Sequence, residues 1–176
     1  MNKKTLIITI LLHALLIVVV YVFQGVIFPF MRLNGLVPLL LPVVSTGIAL
    51  YEGRYTGGIA GLFAGILCDI SFNHPAGVFT VLLTVTGLIV GTLADSVVLR
   101  GFVTYYISCT AVLIISAFVQ MFPFMVNPAT NIPLQSLLVI AIQQTIYSLV
   151  LALPIWFFVQ SLGKRTDRIL PSGRMY

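Results

Sequence analysis

The sequence predicts an all-α integral membrane protein, built as a bundle of six transmembrane helices. Three observations lead to this class. The chain of 176 residues is 60% hydrophobic and only 7% charged, with a mean hydropathy of +1.14, which a soluble domain of this size does not tolerate. Its apolar residues form six runs separated by Gly, Pro and charged residues. With six spans, nearly every cation falls on one side of the membrane.

The first segment, 5–28, follows Lys3 and Lys4 and imitates a secretory signal. It is longer than a usual signal core, and Gln24, Gly25 and Val26 do not form a small-x-small cleavage site, so it reads as a retained helix. The second, 36–51, carries Pro38 and Pro42. It reaches only about 24 Å at the helical rise and is expected to kink or to thin the bilayer locally. The third and fourth, 55–73 and 78–98, hold most of the chain's patterned glycines. The fifth and sixth span 102–125 and 134–160, completing a single domain over 1–163 with a basic cytoplasmic tail at 164–176.

Lys3, Lys4, Arg54, Arg100, Lys164, Arg165, Arg168 and Arg174 share one face in this arrangement, and only Arg32 lies on the other. The positive-inside bias makes the crowded face cytoplasmic and puts both termini there. The net charge of +5 therefore describes topology and membrane-surface charges facing lipid, not a nucleic-acid footprint. The loops are short, with Glu52-Gly53-Arg54 and Arg100-Gly101 as inner turns and Asn73-His74-Pro75 and 127–133 outside. No segment is left for a soluble domain, so function is expected within the bilayer or through partners gripping helices and turns.

Gly57, Gly61, Gly65 and Asp69 recur every four residues and so lie on one face of the third helix. In lipid, small residues let backbones approach closely, which makes this face a helix-packing or partner seam. Gly87, Gly91 and Asp95 repeat the pattern in the fourth segment. Asp69 falls about 21 Å along its helix from Tyr55, at a depth where a carboxylate must be paired, protonated or wetted. The readings are a polar clasp on another helix, with Arg32 or His74 as possible partners, or a proton or ligand site. Asp95 lies near the cytoplasmic interface, within reach of Arg100.

The remaining polar residues yield no reaction centre. His13 and the pair Gln143 and Gln144 read as hydrogen bonds to neighbouring helices, and Glu52 with Arg54 as a solvated pair in a turn. Cys68 and Cys109 read as small packing residues with neither metal nor disulfide spacing. Catalytic motifs are missing, and four acids and two histidines are a thin supply of general acids and bases. No catalytic residue, cofactor or metal is expected.

The Pro-containing second segment is followed by Gly53, Gly57 and the run Gly61-Leu62-Phe63-Ala64-Gly65-Ile66-Leu67-Cys68-Asp69. Gly77 then opens the fourth segment, which contains Gly87 and Gly91. In these features the chain resembles the MreD family of rod-shape-determining membrane proteins. The resemblance implies a non-enzymatic scaffold of the bacterial inner membrane that binds MreC. It would help couple MreB filaments to peptidoglycan synthesis by RodA and a penicillin-binding transpeptidase. The glycine face would then seat either a neighbouring helix of the same chain or the single helix of MreC.

The six-helix bundle is also similar in fold to the substrate-binding subunits of energy-coupling-factor vitamin transporters, which supply the alternative function. Those subunits use an Ala-xxx-Ala face on the first helix, where this chain has only Ala14 among Leu, Ile and Val. Gln120, Asn127, Asn131 and Gln135 are the residues that would contribute to a vitamin pocket.

Overall fold

A short helix with two prolines near its start forms the centre of the molecule. The computed structural model describes residues 3–27, 37–72, 77–96, 101–126 and 134–169. Among these residues there are six α-helices and no strands. Helix α1 (Lys3–Val22) continues into a π-helical turn (Phe23–Ile27) and is followed by α2 (Leu40–Glu52), α3 (Arg54–Phe72) and α4 (Val78–Ser96). The chain then forms α5 (Phe102–Val126) and α6 (Leu134–Ile169). Each of the six apolar runs overlaps one helix.

Helix α2 is apolar all round, the pattern of a helix with no outer face, and every residue from Leu40 to Leu50 is buried. It touches each of the other five helices. One flank meets α5 and α6, where Leu39, Val43 and Leu50 join Tyr105, Cys109, Leu113 and Trp156. The other meets α1, α3 and α4, where Leu41, Val44 and Ile48 join Ile17, Ala64, Phe79 and Leu83. Both cysteines are free and buried in these clusters.

The two prolines of this segment stand at positions that cost α2 no helical hydrogen bond. Pro38 precedes the helix and Pro42 is its third residue, where an N–H has no partner within the helix in any case. The Pro42 carbonyl also accepts hydrogen bonds from the hydroxyls of Ser45 (3.0 Å) and Thr46 (2.7 Å). At about 20 Å the helix is shorter than a hydrocarbon core.

Gly53 reverses the chain between α2 and α3 at φ 85°, a conformation that favours glycine, and donates its N–H to the Ala49 carbonyl at 3.1 Å. Two stretches among the described residues are long and apolar enough to cross a membrane, Phe102–Met121 and Gln135–Ser161. Among the described residues, Leu11–Val26, Leu40–Glu52 and Val78–Ala94 are shorter apolar helical stretches. The run 134–160 ends inside α6, which stays helical through Ile169.

Candidate functional site

Helices α3 and α4 run antiparallel with their backbones in direct contact, and the glycines make this possible. A Cβ built on Gly61 would collide with the Leu83 carbonyl, and one on Gly65 with the Thr80 Cα and the Phe79 oxygen. A Cβ on Gly87 would strike the Gly57 carbonyl, and one on Gly91 the backbone of Arg54. At Gly57 it would lie 2.5 Å from the Ala49 Cβ of α2. Steps of four residues on α3 thus meet steps of about four on α4, and the seam is filled by a helix of the same chain.

At the end of the seam Asp69 reaches the start of α4. Its Oδ1 accepts the Phe79 N–H at 2.9 Å. Its Oδ2 accepts the N–H groups of Gly77 (3.1 Å) and Thr80 (3.0 Å) and the Thr80 hydroxyl (2.6 Å). The first N–H groups of a helix have no partner within it and are normally capped by the preceding side chain. Here that position is Gly77, at φ 100°, which has no side chain to offer. Asp69 supplies the cap from the neighbouring helix, where a negative group also meets the positive end of the helix dipole. Four donors match the roughly four lone-pair sites of a carboxylate. Chemically the arrangement is a clasp in which four donors of the described residues satisfy the carboxylate.

A matching arrangement holds the start of α2. Its N-cap position is Leu39, which has no capping side chain. Ser148 of α6 accepts the Leu39 N–H (2.9 Å), Gln24 of the π-helical turn accepts the Leu40 N–H (3.2 Å), and Gln144 donates to the Val37 carbonyl (2.9 Å). Gln144 is buried and Gln143 is exposed. The sequence reading did not single out Gln24 and Ser148 for this role. The available signal was polar residues within apolar runs, opposite a segment whose prolines disturb a helix start.

The Glu52 carboxylate, expected to be solvated, is only 9% exposed and lies 3.8 Å from the His13 Nε2 of α1, itself 5% exposed. The expectation is corrected: α2 ends inside the bundle, so its last side chain is covered by α1. Arg54 is exposed, with its guanidinium 4.6 Å from the centre of the Tyr55 ring and donating to the Tyr55 hydroxyl at 2.8 Å. Asp95 lies in the last turn of α4 and Lys3 and Lys4 in the first turn of α1, while Lys164, Arg165 and Arg168 lie on the last turns of α6. Arg32, His74, Arg100, Asn127, Asn131 and Arg174 lie outside the described residues.

The sequence model of rod shape-determining protein MreD matches residues 2–166. The chain belongs to the MreD family. No curated protein and no solved structure matches it. The MreD family is shape-determining rather than a known enzyme family, and membership supports a rod-shape-determining role and association with the shape-determining complex. Together with the two membrane-capable helices it identifies a membrane protein. The transporter-subunit alternative finds no support in the MreD match.

Proposed function

We propose that this MreD-family chain is a non-enzymatic scaffold of the bacterial inner membrane, crossing it six times with both termini in the cytoplasm. It binds MreC and couples MreB filaments to peptidoglycan synthesis by RodA and a penicillin-binding transpeptidase. The observation that carries this reading is the family match over residues 2–166. The two N-terminal clasps fit a rigid scaffold, because helix starts inside the bundle are fixed by side chains from neighbouring helices. With the glycine seam occupied by α4, the MreC helix is assigned to the outward apolar faces of the bundle.

The test is detergent co-purification of the chain with membrane-anchored MreC, with Asp69→Asn alongside. A stable complex is the expected result. Failure of the folded chain to retain MreC overturns the scaffold reading. Loss of MreC only in the variant makes the α3–α4 hairpin part of what MreC recognises.

A further inference from the structure

We propose that the outward face of α6 is a pairing surface for a second copy of this chain, with the Gln143 amide at its centre. The inference rests on the membrane reading above. Helix α6 packs on α2 and α5 through an inner row that includes the buried Gln144, Ser148 and Ala152. Its opposite row is Val139, Gln143, Ile146, Val150, Leu153 and Phe157, and every one of these is exposed. The steps between them are 4, 3, 4, 3 and 4 residues. This is the period of about 3.5 residues by which two helices wrap around each other, each seam side chain entering a gap on the facing helix. Within the single chain, no described helix faces this seam.

Gln143 determines what covers the seam. The residue stands about 14 Å along α6 from Leu134, near the middle of a hydrocarbon layer about 30 Å thick. Its amide makes no hydrogen bond among the described residues, whereas its neighbour Gln144 donates to the Val37 carbonyl. Acyl chains offer an amide no partner, and a polar group left bare in lipid is costly. Polar side chains at such depth act as glue between helices. A primary amide both donates and accepts, so two copies of Gln143 facing each other across a two-fold axis satisfy one another. A single polar residue in an apolar seam also sets register, because a slip along the helix parts the two amides and buries each alone. The seam is therefore complementary to its own copy, in the parallel orientation that two chains of one topology share.

The experiment reconstitutes the full chain, labelled with donor or acceptor dyes, in phosphatidylethanolamine–phosphatidylglycerol vesicles and follows energy transfer as added lipid dilutes the protein. The wild type should pair above the random level. Gln143→Leu should weaken pairing about tenfold, the order expected for one interhelical hydrogen bond, and Gln143→Asn should keep most of it. The exchange acts between copies and leaves the fold of one chain as it is. Single cysteines then read the register: Val139→Cys and Ile146→Cys should form copy-to-copy disulfides, and Leu138→Cys, exposed on the flank of the helix, should not. These variants retain Gln143, so they decide the matter if Gln143→Leu fails to fold. Random-level transfer by the wild type, pairing unmoved by Gln143→Leu, or equal cross-linking at Leu138 and Ile146 overturns the proposal. Energy transfer to labelled, membrane-anchored MreC but not to a second copy assigns the seam to a different partner and overturns it as well. Recovery of the chain outside the membrane fraction defeats the membrane reading itself, a distinguishable failure.

Discussion

Thr80 donates twice to one oxygen of Asp69, through its backbone N–H at 3.0 Å and its hydroxyl at 2.6 Å. This double contact joins the C-terminal part of α3 to the first turn of α4, beside the point where Gly65 lets the two backbones meet. Close packing and capping therefore act on the same residues of α4.

Replacing Asp69 with Ala removes the acceptor for four donors, and buried donors left without partners cost about 1 to 3 kcal/mol. Thr80→Val, which removes only the hydroxyl, should cost about 1 kcal/mol. Thermal unfolding in detergent should show both losses, and the double variant should lose less than their sum because the residues share one contact. Additive losses would show that the clasp contributes nothing as a unit.

Gly61→Ala should destabilise the chain by about 1 to 3 kcal/mol, since its methyl group meets backbone and overpacking of this kind forces the helices apart. Gly25→Ala is the control: nothing lies within 4 Å of its added Cβ. It should be neutral or stabilising by a few tenths of a kcal/mol, because alanine favours helix more than glycine does. The same unfolding measurement checks both, and equal effects at the two positions would remove the seam from the account.

The six helices were legible because Gly, Pro and charge interrupt the apolar runs, and the α3 face because four-residue spacing survives in the sequence as it stands. The partners of Asp69 were less so. Three of its four donors are backbone N–H groups, which carry no mark of residue type. The covered position of Glu52 depends on α1 crossing the end of α2, a contact between residues far apart in the chain. Two prolines in a short segment do not by themselves show where the helix begins, and it begins so that its first turn absorbs Pro42 without losing a helical bond. The extension of α6 was hidden for another reason. Lys and Arg mark the end of an apolar span, but they are also good helix formers and let the helix run on.

The start of α2 offers a prediction that separates a polar side chain acting as a cap from one merely facing lipid. Ser148→Ala removes the acceptor of the buried Leu39 N–H, and no capping side chain on α2 can replace it. The expected loss is about 1 to 3 kcal/mol, the cost of a buried donor without a partner. Gln144→Leu should behave similarly, because the Val37 carbonyl then loses its donor. Gln143→Leu adjoins it in sequence but is exposed, and should stay within about 0.5 kcal/mol of the wild type. Amide hydrogen exchange gives a local readout: in Ser148→Ala the Leu39 N–H should exchange faster while the α3–α4 hairpin keeps its protection. Faster exchange throughout the bundle would instead mean that α2 and the hairpin open together, making the centre of the molecule a single cooperative unit.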